Sequence, residues 1–258
     1  EEIFTVTKNA CLCEGVYKMT LKARTGRLES INCGQFMSVE VPGRHDLLLK
    51  RPFAIYDYDE AQGLISFCYK VVGKGTEHLS RLEKGQGIRA AYPLGNGFKI
   101  GDEHKKVILL GGGVGIFPLY SVFRAYPGKI FYSILGFKER CKVILTKEFE
   151  EKSAEFILCT EDGSAGKAGF VTGVLRQNID RIAPDLILCC GPRPMLKALK
   201  EVMKDFPHIP VQVSLEERMA CGIGACLVCA CAVREEDKVL NKRVCKDGPV
   251  FSLYEVEL

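Results

Sequence analysis

The chain has 258 residues, 47% of them hydrophobic and 26% charged, which allows sizeable buried cores and favours more than one domain of roughly 100 to 150 residues. Its net charge of +4 comes with no run of five or more basic residues, so the balance argues against nucleic-acid binding. No stretch of about 18 apolar residues is there to cross a membrane, and the acidic opening "EEIFTV" lacks the features of a secretion signal; the thirteen cysteines are therefore expected as reduced thiols or metal ligands in the cytoplasm.

From Ile3 to Tyr92 the apolar segments "IFTVTK", "VYKMTLKA", "QFMSVEV", "FAIYDY" and "LISFCYKVV" are short and broken by Gly and Pro, which predicts an antiparallel β-barrel over residues 1–98. After "YPLGNGF" the pattern changes. Apolar strands such as "VILLGG", "IFYSILGF", "FILCT", "LILCCGP" and "VQVSL" alternate with helix-compatible stretches, the signature of an α/β domain with a mostly parallel sheet over residues 99–215. Residues 216–258 are rich in Cys and Gly with little periodicity, and they predict a small third module built around something other than a hydrophobic core.

Four segments carry chemistry, each with a plain structural alternative. In "KRPFAIYD", Arg51 beside the rigid Pro52 and the ring of Phe53 suits a phosphate and a flat cofactor, or else is a strand end and a core filler. In "KVVGKGTEHLS", Gly75 and Thr76 stand where a second phosphate contact would fall, although Thr76 also suits a helix cap. Gly111, Gly112, Gly113 and Gly115 in "GGGVGIFP" form a strand-to-helix turn able to approach a pyrophosphate, but Ile116 replaces the third glycine of the dinucleotide fingerprint. Cys190 in "CCGP" ends an apolar strand, where open α/β sheets present residues to ligands.

The fifth segment is the most specific. Cys221, Cys226 and Cys229 give C-x4-C-x2-C, and Cys245 follows in "RVCKDGPVF", the plant-type spacing of a [2Fe–2S] cluster. Zinc is the rival occupant, although its structural sites usually show two closely spaced ligand pairs and here the fourth cysteine stands alone. Cys231, five residues after Cys226, is a spare thiol or a competing ligand.

Taken in order, "RPFA", "GGGVG", "CGP" and the cysteine module resemble the ferredoxin–NADP reductase superfamily, and "ERMACGIGACLVC" with "VCKDGPVF" is similar to the electron-transfer subunits of class 1B dihydroorotate dehydrogenases. That resemblance implies an oxidoreductase subunit with a flavin-binding barrel, a Rossmann-like NAD(P)-binding domain and a [2Fe–2S] module. It implies FAD lined by Arg51, Pro52, Phe53 and Ala54, with Cys68, Tyr69 and Lys70 on the next strand and Gly75 and Thr76 at the pyrophosphate. Phe53 and Ala54 stand where the superfamily carries Tyr and Ser/Thr, which removes two hydroxyl contacts. The resemblance also implies cluster ligation by Cys221, Cys226, Cys229 and Cys245, and NAD(H) seated by the glycine turn with Cys190 beside the hydride transfer. The implied partner is an FMN-containing subunit that oxidises dihydroorotate in pyrimidine biosynthesis, in a heterotetramer of two of each.

Two points stay open at this level. "GFKER" offers Glu139 for a ribose hydroxyl and Lys138 and Arg140 for a 2′-phosphate, and the family likeness favours NAD. The resembling small subunits of NADH-dependent ferredoxin:NADP oxidoreductases and sulfide dehydrogenases share the layout, but a non-Cys first ligand is expected there, so Cys221 argues against them. A zinc-stabilised, non-catalytic interaction module is the alternative from another class.

Overall fold

The computed structural model describes residues 1–236 and 238–258. Its N-terminal part is a closed antiparallel barrel. The strands are β1 (Glu2–Cys13), β2 (Val16–Ala23), β3 (Phe36–Val39), β4 (Arg51–Asp59) and β5 (Leu64–Lys70), followed by helix α1 (Lys74–Ser80) and strand β6 (Gly87–Leu94). They close in the order β1-β2-β5-β4-β3-β6. Phe4, Met19, Leu21, Met37, Ile65 and Phe67 fill the interior, and Leu79 of α1 packs onto the same core. Each such side chain contributes on the order of 2 kcal/mol by leaving water.

The closing strand β6 is absent from the five segments that the sequence pattern singles out. Its inward positions are Ile88, Ala90 and Tyr92, and a small Ala in the middle mutes the apolar alternation.

The second part alternates strand and helix: β7 (Lys106–Gly112), α2 (Phe117–Ala125), β8 (Ile130–Phe137), α3 (Thr146–Glu150), β9 (Glu155–Thr160), β10 (Lys167–Ala168), α4 (Val171–Ile182), β11 (Leu186–Cys190), α5 (Arg193–Val202) and β12 (Val211–Ser214). The sheet order is β10-β9-β8-β7-β11-β12, all parallel. Chain direction across the sheet reverses between β7 and β11. That switch opens a crevice at their carboxyl ends, where ligands of doubly wound sheets bind. The barrel docks through α2: Tyr56 stacks on Tyr120 with centroids 4.3 Å apart, and Arg124 Nε donates to Asp57 Oδ1 at 2.9 Å.

The remainder forms the hairpin β13 (Ala230–Glu235) and β14 (Lys238–Arg243), then strand β15 (Val250–Ser252), which pairs antiparallel with β12 and completes a seven-stranded sheet. The expectation of a module without a hydrophobic core is corrected here. Val233, Val244, Leu253 and Val256 are buried in the same cluster as Ile187, Val211 and Leu199 of the α/β part. Only three residues of β15 join the sheet, too few to show a period of two.

Candidate functional site

A cavity of about 260 Å³ lies where all three parts meet. The barrel contributes Pro52, Phe53 and Ala54 of β4 and Cys68, Tyr69 and Lys70 of β5; the α/β part contributes Cys190 and Pro118; the C-terminal part contributes Met219 and Pro249. Adjacent antiparallel strands bring β4 and β5 side by side, so two segments apart in sequence share one wall. Phe53 stacks on Phe67 with centroids 4.8 Å apart and planes 7° apart, and it tilts against Tyr69 at 5.5 Å. Tyr69 in turn donates its hydroxyl to Asn9 Oδ1 at 3.1 Å, which fixes the ring. The place of the superfamily's Tyr is thus held by a ring packed from both neighbouring positions.

Arg51 lies outside this cavity, in an adjoining trough with Leu48, Leu49 and Met219. Its guanidinium donates to the Leu49 carbonyl and crosses over Gly75, where a Cβ would come within 2.5 Å of Nε. Gly75 is therefore a cradle that only a bare backbone leaves open. Thr76 spends its hydroxyl locally, accepting from the N–H groups of Val72 at 2.9 Å and Gly73 at 3.2 Å and donating to the Gly73 carbonyl. The expected cap is shifted: Gly73 is the N-cap of α1 and Thr76 stands three positions in, folding its hydroxyl back onto it, with Arg51 alongside.

The glycine turn divides by task. Gly112 and Gly113 face a second cavity of about 530 Å³ at the sheet switch point, walled also by Lys138, Glu161, Phe170 and Met195. Gly111 and Gly115 are packing positions: a Cβ on Gly111 would meet Ile116 at 2.7 Å, and one on Gly115 would meet the Cys190 carbonyl oxygen at 2.5 Å. The turn itself is a short 3-10 segment, Gly113–Ile116, leading into α2 with Pro118 in its first turn.

Cys190 is fully enclosed between the strand end and the first cavity. Burial raises its thiol well above the ordinary range, the neighbouring Glu216 charge adds to this, and a hydrogen bond with Ser214 partly opposes it. Glu216 stands open to the cavity mouth yet is hemmed in by protein, and desolvation raises its carboxyl. Neither Ser214 nor Glu216 is singled out by the sequence pattern. Ser214 ends β12 beside Cys190, so the strand-end argument that points to Cys190 applies to it as well.

The cluster segment runs over the barrel rim, with Gly222 packed near Ser38 and Leu94. Cys226 lies beside Cys221 and Cys229 beside Cys245, and Cys221 is also close enough to Cys245 to raise its thiol. Three cysteines on one loop and a fourth on the chain that returns to it are the donor set that would hold a [2Fe–2S] cluster. Backbone N–H groups also aim at sulfur: Gly224 to Cys245 Sγ at 3.1 Å, Ala225 to Cys221 Sγ at 3.3 Å and Cys245 to Cys229 Sγ at 3.4 Å. Hydrogen bonds from Ile223 and Cys226 hold the Cys221 thiol down to about 6, whereas burial pushes Cys245 up to about 12. Gly222 and Gly224 with φ of 71° and 84°, and Leu227 with φ of 62°, turn the loop through left-handed backbone that glycine adopts freely and leucine at a cost. The donor set therefore fits a [2Fe–2S] cluster.

Comparison with known proteins agrees with this geometry. Residues 216–257 match the family model for the iron-sulfur cluster binding domain of dihydroorotate dehydrogenase B. The chain is 41% identical to the dihydroorotate dehydrogenase B (NAD(+)) electron transfer subunit of Caldanaerobacter subterraneus subsp. tengcongensis, over 97% of this chain and 96% of that one. It is 39% identical to the Geobacillus kaustophilus protein of the same name, over 100% and 98%. Among solved structures, a chain of an NADH-dependent reduced ferredoxin-NADP oxidoreductase superposes with a TM-score of 0.85 at 31% identity, covering 98% of this chain and 89% of that one. Phthalate dioxygenase reductase, with a TM-score of 0.68 at 16% identity over 94% and 93%, shares the fold. The protein with these paired thiols beside a barrel cavity belongs to the family of dihydroorotate dehydrogenase B electron transfer subunits.

Proposed function

We propose that the chain carries electrons between NAD(H) and a catalytic subunit that oxidises dihydroorotate in pyrimidine biosynthesis, using FAD and a [2Fe–2S] cluster. The observation that carries this reading is the first cavity, whose wall is shared by the barrel, by the end of β11 and by the cluster segment. Cys190, at the end of β11, and Met219, two residues before Cys221, both line it. When bound, FAD exchanges two electrons with nicotinamide as a hydride and one at a time with the cluster, which is the conversion this architecture requires.

The chain's own residues position and exclude. Pro52, Phe53 and Ala54 with Cys68, Tyr69 and Lys70 would line the isoalloxazine, Arg51 would bind pyrophosphate over Gly75, and Thr76 would keep that turn shaped. Gly112 and Gly113 would seat the nicotinamide nucleotide in the second cavity, with Gly111 and Gly115 letting turn and strand end close on each other. Cys190 would pack beside the transfer as a neutral thiol, because its burial disfavours the thiolate. Cys221, Cys226, Cys229 and Cys245 would ligate the cluster. On this reading residues 1–98, 99–215 and 216–258 form the flavin, nucleotide and cluster units, the partner carries FMN in a heterotetramer of two of each, and the assembly works in the cytoplasm. Among the described residues, no helix is long and apolar enough to cross a membrane.

The test is an anaerobic absorbance spectrum before and after NADH, with iron, sulfide and zinc assayed on the same sample. Flavin bands and a broad cluster shoulder that bleach with NADH are expected. A colourless, zinc-containing protein would overturn the proposal.

A further inference from the structure

Three thiols outside the cluster gather at the seam between barrel and α/β part. Cys11 and Cys13 end β1, where the pairing with β2 slips register, and Cys11 Sγ lies 3.1 Å from the Cys13 carbonyl oxygen. Cys141 sits across the seam in the short 3-10 turn Arg140–Lys142 after β8. Two contacts bring the sides together. Lys142 Nζ reaches Glu14 Oε2 at 3.6 Å, and Cys13 packs on the same core as Val143, Ile144 and Leu145. Cys13 lies near enough to Cys11, Cys141 and Lys142 to feel the charge of each. Cys11 and Cys141 are exposed, unlike the buried Cys33, Cys68 and Cys159.

We infer that Cys13 and Cys141 are a modification site, forming a reversible disulfide that locks the nucleotide loop to the barrel. The oxidant is a low-molecular-weight disulfide such as oxidised glutathione. Cys141, open to solvent, attacks it as thiolate, forming a mixed disulfide and releasing one thiol. Cys13 then attacks the Cys141 sulfur and expels the second thiol. Two protein thiols are oxidised to one S–S bond, one external disulfide is reduced to two thiols, and the two protein protons pass to the leaving thiolates. A disulfide needs Cα atoms within about 7 Å, so the oxidised protein must hold Cys13 and Cys141 at that separation, next to the Lys142–Glu14 contact. Burial raises the Cys13 thiol, so the exposed partner reacts first.

Cys141 is tied to the second cavity from two sides. Lys138 precedes it by three residues and lines that cavity, and the Arg140 N–H donates to Ser164 Oγ at 2.8 Å, in the loop that begins with the cavity residue Glu161. A bond to Cys13 therefore restrains both loops that would close on the nucleotide. This kinetic consequence rests on reading the second cavity as the nucleotide site; the crosslink does not.

The experiment uses the FAD- and cluster-loaded chain, incubated anaerobically with oxidised glutathione, then alkylated, digested and weighed. A peptide pair joined through Cys13 and Cys141 is expected, with KM for NADH raised at least threefold, flavin and cluster absorbance unchanged, and full reversal by dithiothreitol. Cys13→Ser and Cys141→Ser should each lose the pair and hold the reduced KM in the presence of oxidant. Glutathione adducts alone, or a Cys11–Cys13 link, would overturn the site. A Cys13–Cys141 link with unchanged KM would overturn the lock and count against the second cavity as the nucleotide site.

Discussion

The flavin barrel and the cluster loop solve the same problem, holding a redox group, with opposite materials. In the barrel the wall is made by neighbouring strands whose inward faces are already packed, so the aromatic stack of Phe53, Phe67 and Tyr69 stands on a core that exists without the ligand. In the loop from Cys221 to Cys229 the backbone turns through left-handed residues, and Ile223, Leu227 and Val228 are exposed. What closes that loop is N–H to sulfur contacts and, when present, the inorganic group. The barrel is thus a seat resting on its own apolar core, whereas the loop is held largely through contacts to its own sulfurs.

The comparison breaks most visibly at a ligand. Cys226→Ser is expected to remove essentially all iron and every visible band beyond those of the flavin while FAD content stays near one per chain; a retained cluster shoulder would show the ligand set to be wrong. Next in size is Gly115→Val, which drives a side chain into the Cys190 carbonyl and is expected to cost about 1 to 3 kcal/mol by overpacking, read as a drop of several degrees in Tm. Arg51→Ala leaves the barrel core untouched and removes the proposed phosphate contact, so FAD affinity is expected to fall about tenfold in equilibrium dialysis, with Tm of the apoprotein unchanged. The smallest effect belongs to the sheet frame. Asp185 accepts the N–H groups of Lys105 and Lys106 at 2.8 Å each, and these bonds hold its carboxyl below the usual range. A depressed carboxyl stabilises above its unfolded pKa and loses that contribution as pH falls through the folded value. Asp185→Asn is therefore expected to cost at most about 1 kcal/mol at pH 7, since the group is solvent-exposed, and the gap to the parent should close as pH drops below about 4. A gap that widened in acid would reverse the assignment.

Much of this was legible in the residues because the relevant signals are local. The spacing of Cys221, Cys226, Cys229 and Cys245 points to the iron-sulfur domain that residues 216–257 match, and the change from broken short strands to strand–helix alternation after "YPLGNGF" separates barrel from doubly wound sheet. The C-terminal hairpin and β15 were not legible, since Val250–Ser252 is too short for a pattern and its partner β12 lies almost forty residues earlier. Glu216 and Ser214 were missed for a related reason. Their significance comes from facing Cys190 across two paired strand ends, a relation that exists only once the sheet order is known. Arg51 and Gly75 show the converse: each was visible alone, but the crossing of one over the other is a product of the fold.

β15 has a consequence for the life of the protein in the cell. It caps the exposed side of β12, a strand whose unpaired N–H and C=O groups would otherwise be free to recruit strands from other molecules. β15 is itself held down by Leu253 and Val256, which are buried in the core shared with the α/β part, so a three-residue strand guards the edge of the whole sheet.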